Sequence, residues 1–176
     1  PYNLDEDNAA SMFMNFEGWT IHRKRAWITL FCGGHYDFID FSVVNYREKG
    51  TDESQKHIRS WMKTLSGYVH SIDITKALPF SGITKEIPPE TIACVFGIES
   101  EEYNVYIADS REFDNPDAGK AISGKLVLDI PSRDYMVKLF SPVDGRYLEE
   151  YRQTNEDGVF ELPEFEHDLV LKVNRL

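Results

Sequence analysis

The stretch YMVKLFSPVDGR, residues 135–146, decides the fold class of this 176-residue chain. In its first half, Tyr135, Val137 and Leu139 point to one face of an extended strand, and the residues between them point to the other face. The second half combines Pro, Asp and Gly, which are typical of a tight turn. The stretch therefore predicts one strand of an antiparallel sheet and the turn that leads into the next strand.

Strands of this kind recur along the whole chain after Pro79. Turn signals such as NPDAG, PSRD and NEDG separate them, and many short strands with regular turns are typical of an antiparallel β-sandwich. The predicted strands are residues 91–98, 103–108, 124–130, 135–140, 147–153, 158–162 and 168–174.

The first part of the chain has a helical period instead. From Asn8 to Cys32, apolar residues recur at spacings of three, four and seven, which predicts a helix with one apolar stripe. Asn8 is expected to cap this helix and Gly33 to end it. Arg23 belongs to the same stripe, so we expect it at the edge of the packed face, with its charged end in water.

Two further segments complete the N-terminal part. Residues 35–44 are rich in aromatic and β-branched side chains, which predicts a short buried strand or a packed loop. A second helix is predicted to begin at Asp52, with Gln55 three residues later in a capping-box arrangement, and to end before Pro79.

The change of period near Pro79 predicts an α+β fold in two parts. Residues 1–80 form a helical segment, residues 86–176 form an antiparallel β-sandwich, and a Pro- and Gly-rich junction at residues 79–90 joins them. We expect residues 86–176 to fold as a separate unit, so that limited proteolysis at the junction leaves a stable β-rich fragment.

Charge and hydropathy exclude several classes of partner. The chain has a net charge of −11, and residues 81–176 carry 10 Lys and Arg against 20 Asp and Glu. Because such a surface repels phosphate backbones and anionic lipid, we predict no nucleic-acid binding and no attraction to a membrane surface. The chain also lacks an apolar run of about 18 residues, so membrane insertion is not expected.

The two cysteines, Cys32 and Cys94, allow two interpretations. Free cysteines are often small buried hydrophobic residues, and the pair is also compatible with a disulfide. Cys32 and His35 together supply at most two ligands, fewer than a zinc site needs, so no metal site is predicted. The sequence has no glycine-rich phosphate loop, and no cofactor is expected.

The order of these features resembles a known architecture. The stretches RAWITLFCGGHYDFIDFS (residues 25–42), YNVYIA, GKLVLDIP, YMVKLFSPVDGR and DLVLKV, with a capped helix after the first, are similar to the C-terminal part of certain glycoside hydrolases. In those proteins a (β/α)8 barrel is followed by a small β-sandwich. The apiosidase-like glycosidases are the group that the sequence resembles most.

The resemblance implies that residues 1–80 are the end of the barrel. It places the two catalytic carboxylates after the fourth and seventh barrel strands, which implies that this segment lacks both of them. It also implies a carbohydrate substrate and favours a secreted or periplasmic location. A barrel fragment leaves an apolar surface, so we expect the helical segment to dock on its own sandwich or to self-associate.

Four residues are candidates for contact with a substrate: His35, Tyr36, Asp37 and Asp40. The two aspartates are a close carboxylate pair beside aromatic residues, but residues three apart on a strand point to opposite faces. They are therefore either a loop-capping or solvated pair, or the rim of a sugar site at the end of the last barrel strand. In the second case His35 and Tyr36 would hydrogen-bond to a sugar or stack on it.

Two functions follow from these observations. The first is the C-terminal portion of a glycoside hydrolase acting on a poly- or oligosaccharide, with the sandwich as an accessory or carbohydrate-contacting domain. The alternative is a non-catalytic β-sandwich module that binds carbohydrate or protein. In either case we expect the 176-residue chain alone to have no glycosidase activity, and we assign no catalytic residue.

Overall fold

The computed structural model describes residues 3–4, 15–37, 50–112 and 114–176. None of the helices in these ranges is long and apolar enough to cross a lipid bilayer. In chain order the elements are β1 (Asn3–Leu4), α1 (Phe16–Phe31), β2 (His35–Tyr36), α2 (Asp52–Val69), β3 (Leu78–Phe80), β4 (Thr84–Glu86), β5 (Thr91–Ile98), β6 (Glu102–Asp109), β7 (Ile122–Leu128), β8 (Arg133–Ser141), β9 (Arg146–Asn155), β10 (Val159–Phe165) and β11 (Asp168–Arg175).

The two helix starts differ in detail from the sequence prediction. Asn8 lies outside the described residues, and the cap of α1 is Asn15, whose Oδ1 accepts a hydrogen bond from the N–H of Gly18 at 2.9 Å. Helix α2 has a capping box, but Thr51 and Ser54 form it, one residue earlier than the pair proposed from the sequence. The Thr51 hydroxyl accepts from the N–H of Ser54, and the Ser54 hydroxyl accepts from the N–H of Thr51.

Strands β3 to β11 form two facing sheets, and the α+β fold with an antiparallel sandwich is confirmed. The larger sheet has the order β3-β5-β6-β11-β8-β9, and the smaller has the order β10-β7-β4. All seven strands predicted from the sequence are present. Two short strands of these sheets, β3 and β4, were not predicted, and they extend the two sheets into residues 78–86.

The space between the two sheets is an apolar core. Leu126, Phe160 and Leu171 are among its fully buried members. On β8, Tyr135, Val137 and Leu139 face this core, as the alternation in the sequence predicted. Burying one large apolar side chain is worth about 1.5–3 kcal/mol, so this core supplies much of the stability of the sandwich.

The opposite face of the larger sheet is covered by the two helices. Trp27 of α1 stacks on Tyr106 of β6, with ring centroids 5.3 Å apart, and Tyr68 of α2 packs on Phe140 of β8 at 4.8 Å. The helical segment therefore docks on the sandwich of its own chain. The fold has three layers: helices, the six-stranded sheet and the three-stranded sheet.

Candidate functional site

A short parallel strand pair lies at the start of the chain. Asn3 pairs with His35 and Leu4 with Tyr36, and α1 makes the connection between these two strands. The N–H of Asp37 donates to the carbonyl oxygen of Leu4 at 3.0 Å, so the carboxyl ends of β1 and β2 are adjacent. In folds built from parallel strands and crossover helices, ligands bind outside the carboxyl ends of the strands.

Of the four residues proposed from the sequence, the structure describes three. Asp37 is exposed at the carboxyl end of β2. Tyr36 is half-buried against the helix core, and its hydroxyl lies 3.4 Å from Nδ1 of His22. His35 is exposed beside an apolar groove, and Asp40 lies outside the described residues. Because neighbouring residues of a strand point to opposite faces, His35 and Tyr36 do not share a surface.

The groove beside His35 has a volume of about 360 Å³ and a mostly apolar lining. It lies next to Gly33 and Gly34, which precede β2, so it is at the opposite end of the strand from Asp37. Sugars need several convergent polar groups for recognition. The groove supplies few of them, because the other lining residues are Leu30, Phe31, Val69, Ile74, Ala77, Leu78, Pro79 and Phe96.

A buried ion pair lies at the interface between the helices and the larger sheet. Nε of Arg23 donates to Oδ2 of Asp168 at 2.8 Å, and both side chains are completely buried. The hydroxyl of Tyr106 donates to the same oxygen at 2.8 Å. The guanidinium carbon of Arg23 lies 4.3 Å from the ring centroid of Trp61, a cation–π contact. The prediction that Arg23 lies at a solvated edge is wrong, because two helices and a strand enclose it.

Next to this pair, His167 has an unusual environment. Its backbone is in the left-handed region, with φ of 62°, which is uncommon for a residue other than glycine. Nδ1 lies 3.6 Å from a carboxylate oxygen of Glu17, a distance that suits an ion pair. Burial and the positive charge of Arg23 lower the pKa of His167 to about 4, so the ring is neutral at pH 7 and the contact is not an ion pair.

Hydrogen bonds to the Asp109 carboxylate hold the loop between β6 and β7 in place. Asp109 accepts hydrogen bonds from the side chain and N–H of Arg111 and from the N–H of Gly119. Burial opposes ionisation of Asp109, but these hydrogen bonds outweigh it and lower the pKa of the carboxyl group. Nζ of Lys24 donates to the carbonyl oxygen of Asp109 at 2.9 Å, and burial lowers the pKa of this lysine.

These groups surround a small cavity between α1 and the β6–β7 loop. Its volume is about 110 Å³, below the roughly 300–1,000 Å³ of typical ligand pockets. Lys24, Asp109 and Arg111 already have partners within the protein, so they are not poised to bind a substrate. We therefore assign this cluster to docking of the helix and loop rather than to catalysis.

Sequence reasoning missed this interface. Arg23 and Asp168 are 145 positions apart in the sequence. A hydrophobic period indicates only which face of its own helix or strand a residue occupies, not which distant residue it contacts. A polar clue does exist in DLVLKV, where Asp168 and Lys172 share a face that is not the sandwich core. Across the described ranges, no group of three His, Cys, Asp or Glu side chains is arranged to hold a metal ion.

Comparison with known proteins supports the architecture. The chain matches no protein-family model and shows no significant similarity to a curated protein. Among solved structures, it is similar to a glycoside hydrolase of family 5 from Bacteroides vulgatus ATCC 8482, with a TM-score of 0.61 and 16% identity over 89% of this chain. A second glycoside hydrolase gives a TM-score of 0.60 and 15% identity over 93% of the chain.

A third similar structure is a GH30 endoxylanase from Clostridium papyrosolvens C71, with a TM-score of 0.51 and 10% identity over the entire chain. The chain spans only 36%, 38% and 41% of the lengths of these three structures. Identities this low establish a common fold and leave the activity open. The chain therefore has the fold of a portion of glycoside hydrolases that is little more than a third of their length.

Proposed function

We propose that this chain is the C-terminal portion of a glycoside hydrolase. In this proposal β1, α1, β2 and α2 are the last units of a (β/α)8 barrel, and the sandwich is an accessory domain. The observation that carries the proposal is the parallel pairing of β1 with β2 through the crossover helix α1. Parallel strands joined by helices occur in larger sheets that are covered on both faces. Two strands of two residues each are too small to be such a sheet, which supports their assignment to a larger one.

The size of the similar structures supports the same conclusion. A barrel needs eight strands to fill its interior, and the glycoside hydrolases that share this fold are more than twice as long as this chain. In this proposal the remaining barrel strands would lie beside β1 and β2. The sandwich would hold α1 in place through the buried ion pair of Arg23 and Asp168.

Asp37 is the strongest candidate for contact with carbohydrate among the residues proposed from the sequence. It is exposed and follows β2 at the carboxyl end of the parallel pair, where barrel enzymes bind their substrates. A carboxylate there can accept hydrogen bonds from sugar hydroxyls. We infer a positioning role for Asp37 and assign the catalytic carboxylates to barrel strands outside this segment.

The test compares two proteins: the 176-residue chain and a longer product of the same gene that includes the residues encoded upstream. Both are assayed against a panel of oligosaccharides, polysaccharides and chromogenic glycosides. The resemblance to the apiosidase-like group motivates an apioside in this panel. We expect the longer protein to hydrolyse at least one substrate and the 176-residue chain to hydrolyse none.

Asp37→Asn in the longer protein should raise KM without unfolding it, and Asp114→Asn, an exposed aspartate in the β6–β7 loop, is the matched control. Turnover by the 176-residue chain would contradict the assignment of the catalytic residues. Carbohydrate binding without turnover by either protein would favour the non-catalytic module instead.

A further inference from the structure

Cys32 and Cys94 are the two cysteines of the sequence, and the fold brings them together. Their sulfur atoms lie 3.1 Å apart, although 62 residues separate them along the chain. A disulfide has an S–S length of about 2.05 Å, so the sulfurs need to approach by only about 1 Å to bond. Small side-chain rotations are enough for such a movement.

Regular structure holds both cysteines in place. Cys32 is the C-cap of α1, and its N–H donates to the carbonyl oxygen of Ile28 at 2.9 Å. Cys94 lies in the middle of β5, paired in register with Tyr106 of β6. Phe31 and Phe96, which neighbour the two cysteines, pack together with ring centroids 6.1 Å apart. The close approach of the sulfurs is therefore a consequence of helix docking and strand register.

We propose that Cys32 and Cys94 are a modification site at which an intrachain disulfide joins the end of α1 to β5. The bond would link the helical layer covalently to the six-stranded sheet. It would lie on the same interface as the buried Arg23–Asp168 ion pair, which joins α1 to β11. Because 62 residues separate the two positions, the bond would remove considerable conformational freedom from the unfolded chain.

The chemistry requires a disulfide as oxidant, either a small molecule such as oxidised glutathione or a protein disulfide. The thiolate of Cys32, the more exposed of the two, attacks one oxidant sulfur, forms a mixed disulfide and releases one thiol. Cys94 then loses its proton to solvent and attacks the Cys32 sulfur, releasing the second thiol. The two protein thiols are oxidised, and the oxidant disulfide is reduced to two thiols.

The environment of Cys94 supports this order of events. Burial, and then the neighbouring Cys32, raise the pKa of Cys94 to about 12. Cys94 is therefore a thiol at neutral pH, and the first attack falls to Cys32. Disulfides persist in oxidising compartments, where such a bond would be stable.

The test uses the full chain treated with oxidised glutathione, blocked with an alkylating agent and digested with trypsin without reductant. We expect residues 26–47 and 86–111 to appear as one disulfide-linked peptide pair. Reduction should lower Tm by roughly 5–15 °C, as expected for a disulfide of this kind in a chain of this size.

Cys32→Ser is the matched control, because Cys32 is exposed and its replacement leaves the core intact. This variant should have the Tm of the reduced wild type and should not respond to reductant. Three results would overturn the proposal: alkylation of both thiols after oxidation, a stable mixed disulfide on Cys32 alone, or a disulfide that links two chains.

Discussion

Both faces of the six-stranded sheet are buried, but the side chains that bury them differ in chemistry. On β11, Leu169, Leu171 and Val173 face the three-stranded sheet and enter an entirely apolar core. The alternate residues face the helices, and two of them, Asp168 and Lys172, are charged and buried. Apolar side chains build one interface, whereas the other combines aromatic packing with specific polar contacts.

Three of the polar contacts on the helix-facing side illustrate this chemistry. Asp168 pairs with Arg23, the hydroxyl of Tyr68 donates to Oδ1 of Asn104 at 2.8 Å, and Nζ of Lys172 lies 3.1 Å from a carboxylate oxygen of Glu102. Two of them connect a helix to the sheet directly. They require a single position of α1 and α2, because hydrogen bonds are directional and apolar contacts are not.

The difference between the two faces indicates which contacts stabilise the fold and which contacts position the helices. The sandwich core stabilises the fold in proportion to the apolar area that it removes from water. A buried ion pair adds little net stability, but the loss of one partner is expensive because the other charge stays buried. We infer that the polar contacts fix where the helices sit, which would orient the end of the barrel in the proposed enzyme.

The largest expected effect comes from breaking the buried ion pair. Asp168→Asn leaves the Arg23 cation buried without a countercharge, and we expect it to lower the free energy of unfolding by about 3–5 kcal/mol. Urea denaturation measures the change. Glu86→Gln is the matched control, because it breaks the half-exposed Lys125–Glu86 pair and should cost less than about 1 kcal/mol.

The double variant Arg23→Met/Asp168→Asn separates the ion pair from simple loss of packing. It removes both charges, so its cost should be smaller than the sum of the two single variants by about 0.5–3 kcal/mol. If the loss of unfolding free energy in the double variant equals the sum of the losses in the two single variants, the pair does not act as a unit. The contrast between the two faces would then lose its main support.

A cavity in the sandwich core tests the other side of the comparison. Leu171→Ala removes a fully buried side chain from the apolar face of β11, and we expect a loss of about 2–5 kcal/mol in the free energy of unfolding. Leu148→Ala, at a side chain 47% exposed, is the control and should change stability little. Because the cavity lies on the face of the sheet that points away from the helices, the Leu171 variant should keep native near-UV signals from Trp27 and Trp61. Loss of those signals at low denaturant would contradict independent roles for the two faces.

A smaller effect is expected from one hydrogen bond at the helix-facing side. Tyr68→Phe removes the hydroxyl that donates to Oδ1 of the buried Asn104, and an unsatisfied buried acceptor costs about 1–3 kcal/mol. Thermal unfolding followed by circular dichroism measures it. Tyr151→Phe, on the half-buried ring of β9, is the comparison, and an equal effect in both variants would argue against a special role for the Tyr68 contact.

Local patterns predicted most of the fold. The seven long strands of the sandwich have a period of two, and antiparallel neighbours with short turns need no distant information. The short strands β3 and β4 were not predicted, because three residues are too few to show a period of two. The capping box of α2 was placed one residue late, because both Thr51 and Asp52 are good cap residues.

The candidate site was less accessible to sequence reasoning. A sequence pattern identifies residues near the end of a strand, but it does not say which other strand lies beside that strand. The paired residues of β1 and β2 are more than thirty positions apart in the sequence. The buried pair of Arg23 and Asp168 depends on contacts between the first helix and the last strand. Independent folding of residues 86–176 stays a prediction, and the fragment would expose the helix-facing side of the sheet.

The smallest effect concerns the pH dependence of the helix–sheet interface. The pKa of His167 is about 4 in the folded protein, whereas an unfolded histidine has a pKa of about 6.5. Between these values the unfolded chain binds more protons than the folded one, so stability falls as pH decreases from 6.5 towards 4. Above pH 6.5 both states are neutral at this position, and the ring makes no contribution to the pH dependence.

His167→Asn should remove this part of the pH dependence. Asparagine tolerates the left-handed backbone of residue 167 and does not titrate. We expect the stability of the variant relative to wild type to increase as pH falls from 7 to 4.5, measured by urea denaturation at several pH values. Burial raises the pKa of Glu17, which acts on the pH dependence in the opposite direction, but both proteins contain this residue. His70→Asn controls for the loss of a histidine at an exposed position. If the stability difference between His167→Asn and wild type is independent of pH, the buried ring is not held neutral by the interface, and the low pKa assigned to it is wrong.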